Sequence, residues 1–352
     1  MRMTIVFLAL LAASLHAAFT VQEFVPWELA VGGIASFKVQ AHAIEGDTAY
    51  LTFSSGAESQ IVRIDGLHGT QVRTQLVSGA QWTTTTGASL INGAFGLGVV
   101  GDYLEFADSA SRAVWRVNKQ NGAIEVYVSY ARLKELTGKP DALLTSANAV
   151  NPVTGEITYF EARCRSFVTT GGSNVVSYFI TAQGMTNLCG SSSVGDGATY
   201  DASQNFYWGN SDRDTIYMRT SAGTLQASLP SNAIYAVTGL SNANFGALHY
   251  LADNAFLYFM ERNSGTIMAY EPGAANPGST LQVFVDRDTL TNSVCGTSNL
   301  GCIKSDAAYL TFNNLNNDSD SNCLYRIVPE PAALALGLLL ICVGRVRPVR
   351  PV

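Results

Sequence analysis

One rhythm of apolar and polar positions recurs six times along the chain. Ala49-Tyr50-Leu51-Thr52-Phe53 returns letter for letter as Ala308-Tyr309-Leu310-Thr311-Phe312. Looser copies lie at 103–106, 157–160, 206–209 and 256–259, with successive copies 49 to 54 residues apart. Each copy is rich in aromatic and β-branched residues, the composition of a half-buried strand. A polar turn and a second run follow each, at 61–64, 114–117, 176–179, 216–219, 267–270 and 324–327. Turn formers such as Asp108-Ser109-Ala110-Ser111 and Arg262-Asn263-Ser264-Gly265 join the two runs. A third run appears at 124–128, 225–229 and 281–285.

A period near 50 residues is that of a propeller blade or another stacked array. Three runs plus one strand before each copy make four strands per unit, and six units make six blades. The expectation is an all-β, six-bladed β-propeller over residues 19–327. The sixth unit has no outer strand of its own, and the alternating Phe19-Thr20-Val21-Gln22-Glu23-Phe24-Val25 is expected to supply it, closing the ring and covering its open sheet edge. A pair of β-sandwiches is the alternative arrangement of the same strands. Residues 130–136 read as a short inter-blade helix. The third copy reads as carrying a long insertion with Cys164, and the sixth as holding an Asn-rich stretch at 313–322.

The ends have a different character. Met1-Arg2, an apolar stretch at 5–13 and small residues at Ala17 and Ala18 predict a signal peptide over 1–18. At the other end, Val328-Pro329-Glu330-Pro331 precedes an apolar run at 332–344 and then Arg345, Arg347 and Arg350. The run is shorter than the roughly 20 residues of an ordinary spanning helix. The trailing arginines would stay on the cytoplasmic side, leaving residues before Pro329 outside.

Pro-Glu-Pro, a hydrophobic segment and a basic end, in that order, resemble the PEP-CTERM sorting signal of exported bacterial proteins. The resemblance covers residues 328–352 and implies processing by an exosortase-like membrane enzyme, with the membrane a transient partner through the C-terminal tail. It implies a protein of the cell envelope, outer surface or extracellular matrix of a Gram-negative-type bacterium. Because such tails accompany exopolysaccharide production, exopolysaccharide or surface proteins become the expected partners.

Charged residues make up only 14% of the chain, and Lys plus Arg (21) against Asp plus Glu (27) leaves a net charge of −6, which gives no support to nucleic-acid binding. Of six cysteines, Cys342 lies in the tail. Export to an oxidising compartment predicts Cys164–Cys189 and Cys295–Cys302 disulfides, with Cys323 left over or displacing a member of the second pair.

The repeat is also similar to NHL-type and SMP-30/gluconolactonase-like propellers, which share the order of strand, Asp-rich turn and Ile-x-Arg-hydrophobic. That similarity implies function at the central channel, where a metal is held by carboxylate and Asn side chains. Here Asn148, Asp196, Asn242 and Asp306 are the positions expected to approach it, with oxygen donors suited to calcium or another divalent cation. Gly32-Gly33 stands about where those relatives carry a glutamate. Asp318-Ser319-Asp320-Ser321-Asn322 begins like a calcium loop but lacks the glycine and glutamate of an EF-hand, so it reads as a hairpin tip.

Nucleophilic chemistry has little support. His42, His68 and His249 are the histidines outside the signal peptide, and no Gly-x-Ser-x-Gly elbow accompanies them. Asp212 and Asp214 sit in one hairpin turn. Trp208, Tyr207 and Trp115 could make a sugar-stacking platform, but at strand positions they read as packing between sheets. Gly96-x-Gly98 lacks the helix that a phosphate loop needs. The expectation is a non-catalytic binding platform, with a metal-dependent hydrolase of the lactonase type as the alternative.

Overall fold

The computed structural model describes residues 19–32, 38–54, 59–91, 97–306, 309–314 and 324–329. Over them the chain forms six four-stranded antiparallel sheets, so the six-bladed propeller expected from the repeat is the fold. After β1 (Phe19–Val25), blade one comprises β2 (Lys38–Glu45), β3 (Thr48–Ser54), β4 (Ser59–Asp65) and β5 (Val72–Val77). Blade two comprises β6 (Gly98–Val100), β7 (Tyr103–Asp108), β8 (Ala113–Asn118) and β9 (Ile124–Val128). Blade three comprises β10 (Leu144–Val150), β11 (Ile157–Glu161), β12 (Ser166–Gly172) and β13 (Val175–Ile180).

Blade four holds β14 (Ala198–Tyr200), β15 (Phe206–Asn210), β16 (Thr215–Arg219) and β17 (Leu225–Leu229). Blade five holds β18 (Phe245–Leu251), β19 (Phe256–Glu261), β20 (Thr266–Tyr270) and β21 (Gln282–Val285). Blade six holds β22 (Leu300–Ser305), β23 (Leu310–Asn314) and β24 (Leu324–Pro329). The first strands touch in a closed circle, β2–β6–β10–β14–β18–β22–β2, and so line the central channel.

Blade six is completed by β1, which pairs antiparallel with β24 from Phe19↔Pro329 to Val25↔Leu324. The N-terminal closure predicted from the alternation of 19–25 is therefore present. Val21, Phe24 and Val25 are buried by it. The expected boundary at residue 327 falls inside β24, because Val328 and Pro329 continue the strand. Pro329 sits at the strand's last position, where a missing donor is tolerated. Glu330, Pro331, Arg345, Arg347 and the rest of the tail lie outside the described residues, as do the signal peptide and the 318–322 segment.

All six repeated segments are second strands. The runs that follow are third strands in five blades. Blade three departs from this, since 176–179 belongs to the outer strand β13, and the third strand is the unrecognised β12. Thr and Gly residues dilute its apolar pattern, which made the extra strand read as an insertion. Cys164 consequently lies in an ordinary turn between second and third strands.

Those turns share one construction. The second strand ends in Asp108, Glu161, Asn210 or Glu261, whose side-chain oxygens accept amide hydrogens of the turn. Four residues later, Arg112, Arg165, Asp214 and Gly265 adopt φ of +51° to +73°. Glu161 and Glu261 are buried, and they also receive the amides of Leu143 and Asn244 from the preceding inter-blade loop. A buried carboxylate is tolerable when donors surround it in this way.

The helix at 130–136 is present, but it is one of a series rather than an insert. Every outer strand is followed by a helix: α1 (Trp27–Val31), α2 (Gly79–Thr86), α3 (Tyr130–Thr137), α4 (Ala182–Cys189), α5 (Ser231–Thr238) and α6 (Arg287–Thr291). Ser78, Ser129, Thr181 and Asp286 cap four of them through side-chain oxygens. From α2 onward the fourth residue after the cap position is fully buried: Trp82, Leu133, Met185, Ile234 and Leu290. Each of these five side chains joins the apolar core between its own blade and the next.

The predicted disulfides are absent. Cys164 lies beside Tyr178 Oη, whereas Cys189 Sγ donates to the Met185 carbonyl and receives Asn210 Nδ2. Cys295 Sγ contacts the carbonyls of Leu290 and Thr297, and Cys302 lies on the channel strand β22. The partners assumed from compartment and spacing point into different parts of the fold. Among the described residues, no helix is long and apolar enough to cross a membrane.

Candidate functional site

A cavity of about 110 Å³ opens in the channel among the first strands of blades three to six. Its walls include Asn148, Asp196, Ala247, Arg262, Cys302 and Lys304. Asn148 comes from β10, Ala247 from β18, and Cys302 and Lys304 from β22. Asp196 precedes β14, and Arg262 lies in the turn after β19. The turns and inter-blade loops that supply Arg262 and Asp196 emerge at the same end of the propeller, so these two side chains meet there. Arg262 Nη1 and Asp196 Oδ2 are 2.5 Å apart. The aspartate is half exposed, so the pair fixes geometry and adds at most about 1 kcal/mol of stability.

Gly197, beside Asp196, has a structural reason for its identity. A Cβ there would stand 2.3 Å from the Leu248 amide nitrogen and 2.4 Å from the Gly246 carbonyl oxygen, so inner strands β14 and β18 approach as closely as they do only with glycine. Gly301 plays the equivalent part in β22, since a Cβ would collide with the Asn313 side chain.

The deeper channel is basic and neutral rather than acidic. Lys304 makes no ion pair and no side-chain hydrogen bond with any described residue. Crowding by the inner strands disfavours its charged form, and its pKa is lowered by that desolvation, although part of the side chain still meets channel water. Burial, reinforced by the Lys304 charge, lowers the pKa of both His42 and His249 to about 3, so both imidazoles are neutral. Burial pushes the Cys302 thiol up to about 11 and keeps it protonated.

His42 Nε2 lies 3.1 Å from Thr311 Oγ1, and His249 Nε2 lies 2.8 Å from Ser305 Oγ. The second contact has the form of a Ser–His dyad. Accepting a proton would create an imidazolium in a crowded channel near Lys304, and burial already opposes that charge. His249 is therefore a poor general base, and Cys302 is not a thiolate nucleophile. The two pairs instead tie blade six to blades five and one.

The four expected metal-binding positions do not converge. Asn148 and Asp196 line the cavity, but Asp196 is engaged by Arg262. Asn242 is exposed on the rim and accepts Asn263 Nδ2 at 3.0 Å. Asp306 follows β22 and so lies at the opposite end of the channel, 4.0 Å from His68. Among the described residues, no three His, Cys, Asp or Glu side chains form a metal-sized cluster.

The remaining sequence candidates have structural duties. Trp208, Tyr207 and Trp115 are buried between sheets, as their strand positions suggested. Asp212 accepts Ser191 Oγ, while Asp214 accepts Tyr235 Oη and the Ala243 amide. What the sequence did not single out is the pair Arg262 and Lys304, and it read Cys302 only as half of a disulfide. The available signal was a lysine alternating with a cysteine in the strand just before the sixth repeat.

No known protein family matches this sequence, and no curated protein matches it. Solved structures do share its fold. A luciferin-regenerating enzyme is similar over 89% of this chain and 96% of its own, with a TM-score of 0.54 at 9% identity. Virginiamycin B lyase from Staphylococcus aureus is similar over 88% and 99%, with a TM-score of 0.52 at 12% identity. Regucalcin, a calcium-binding protein from Agrobacterium tumefaciens, is similar over 84% and 90%, with a TM-score of 0.51 at 10% identity. At such identities the likeness is one of fold, and the six blades are counted from this chain's own sheets.

Proposed function

We propose that this protein is an exported binding platform of the cell envelope or extracellular matrix, with the open end of its channel as the place where a ligand is held. An exosortase-like enzyme would process it through the 328–352 tail, and matrix polysaccharide or a surface protein would be its partner. The observation that carries this reading is the make-up of the channel. A protonated thiol and a lysine line its cavity, two neutral imidazoles stand on neighbouring inner strands, and the carboxylate at its mouth is tied to Arg262. Such a lining presents donors to a ligand, while neither the imidazoles nor the thiol stands in a reactive ionisation state.

The lactonase-type alternative requires a divalent ion held by several oxygen ligands. Asn148, Asp196, Asn242 and Asp306 are spread over both ends of the channel, which weighs against a shared ion. Retention of extracted matrix polysaccharide on the immobilised protein tests the platform, and failure to retain polysaccharide or envelope proteins above a denatured control would reject it. One tightly held divalent ion per chain, lost in Asp196→Ala, would move the hydrolase ahead. Replacing Pro329, Glu330 and Pro331 by alanine tests the address. Unaltered processing in a host that has the sorting enzyme would remove that part of the proposal.

A further inference from the structure

We infer that the channel cavity is a site for a small monoanion, the carboxylate of a ligand such as an acidic sugar, with Lys304 as its counter-charge and Arg262 as a second donor. This rests on the reading of the channel as the binding place and specifies the chemistry that the place accepts.

The charges of the lining carry the argument. The carboxylate at the cavity, Asp196, is engaged by Arg262 Nη1, whereas Lys304 has no carboxylate partner among the described residues. The charged side chains of the lining are Asp196, Arg262 and Lys304, one net positive charge in a protein whose formal net charge is −6. An ammonium in a narrow, partly desolvated channel is satisfied best by an anion that enters beside it.

Arg262 lines the same cavity with its side chain partly exposed, and its Nη1 is engaged by Asp196. A planar carboxylate suits a guanidinium edge, and a lysine supplies a compact point charge beside it.

Size and charge limit the occupant. About 110 Å³ admits a carboxylate and a few further atoms, so a larger ligand would leave its remainder at the open mouth. A single unmatched positive charge neutralises a monoanion. A dianionic phosphate would leave excess negative charge facing Asp196.

Isothermal titration of the full mature protein in low-chloride buffer tests this, with acetate, D-glucuronate, inorganic phosphate and neutral glucose as probes. The expected result is one carboxylate per chain, with glucose and phosphate at least ten-fold weaker. Lys304→Met should lower carboxylate affinity at least ten-fold, with near-ultraviolet circular dichroism unchanged. Asp196→Asn, which removes the opposing charge, should strengthen it several-fold, so the idea stays testable even if the lysine variant fails to fold.

Equal binding of glucose, preference for phosphate, undiminished binding by a folded Lys304→Met, or no binding of any probe would overturn the site. Polysaccharide retention measured on the same samples separates the two ideas. Retention without carboxylate binding overturns the anion site and leaves the platform standing. Carboxylate binding that Lys304→Met abolishes supports the site, even where no polysaccharide is retained.

Discussion

Asn313 donates from Nδ2 to the carbonyl of Val39 at 3.0 Å, joining the last blade to the first across 274 residues of sequence. Its Oδ1 accepts the Cys302 amide at 2.9 Å. Both backbone partners lie where the ladder is irregular. The pairing of β22 with β23 shifts between Leu300 and Ile303, and that of β2 with β3 shifts between Val39 and Ala41. The asparagine therefore supplies hydrogen bonds that the bulged strands cannot, and Gly301 leaves room for it.

Replacing Asn313 by leucine keeps the bulk but leaves a buried amide and a buried carbonyl facing an apolar side chain. Unsatisfied buried groups cost about 1–3 kcal/mol each, so a loss of about 2–5 kcal/mol is expected. Urea unfolding followed by tryptophan fluorescence reads it. A loss below about 1 kcal/mol would mean that the seam does not depend on this side chain.

The turns between second and third strands make a prediction of the opposite sign. Arg165 holds φ at +51°, a conformation that costs an L-residue about 1–2 kcal/mol, and its side chain is exposed. Blade five has glycine at the equivalent Gly265. Arg165→Gly should relieve the strain, less the about 0.5–1 kcal/mol that glycine's freedom in the unfolded chain costs. The expected outcome is a gain of up to about 1 kcal/mol in thermal or urea stability, and a clear loss would show that the arginine side chain contributes in the folded state.

The same turns explain what the sequence made visible. Second strands stood out because their apolar runs are continuous, and Asp108 and Gly265 marked turns by ordinary turn chemistry. Phe19–Val25 was legible as the closing strand because its alternation matched 281–285 and blade six lacked an edge. The short helices were visible at 130–136 alone, although Ser78, Ser129 and Thr181 recur about every 50 residues with a glycine nine positions after each. Strand β12 escaped because Thr169, Thr170, Gly171 and Gly172 carry no apolar signal.

The site was less legible than the fold, for a physical reason. Oxygen-bearing residues at strand ends were expected to share a metal, yet position in the strand decides which end of the channel each one faces. Asp306, after β22, and Asp196, before β14, fall at opposite ends. Lys304 and Arg262 look unremarkable in sequence, because their surroundings are assembled from four blades.

The cysteines give a direct chemical test. Cys164, Cys189, Cys295 and Cys302 are not in disulfides, so the denatured, unreduced protein should take up iodoacetamide at all four. Peptide mapping reads the labels residue by residue. Dithiothreitol should leave the melting temperature unchanged, whereas a native disulfide would contribute about 2–4 kcal/mol. A Cys164–Cys189 linked peptide from protein purified under oxidising conditions would contradict the structure.

Stability should fall as the medium is made mildly acidic, and His42 supplies the reason. Its folded pKa of about 3 lies below the usual 6.5 of an unfolded histidine, with desolvation by burial as the main cause and the Lys304 charge second. Between pH 6.5 and 3 the unfolded chain binds a proton that the folded chain refuses, so stability drops as pH falls through that window. The slope is about 1.4 kcal/mol per pH unit for one such group, or about 2 kcal/mol between pH 7 and 5. His249 adds to the trend in the same direction but less fully, because part of its ring meets channel water. Urea unfolding at pH 7 and pH 5 measures the difference. In His42→Asn the absolute stability at pH 7 should be lower, since the Thr311 contact is lost, but the drop on going to pH 5 should shrink by about 1–2 kcal/mol. An undiminished drop in that variant would mean that His42 is protonated in the fold and that other groups set the acid sensitivity.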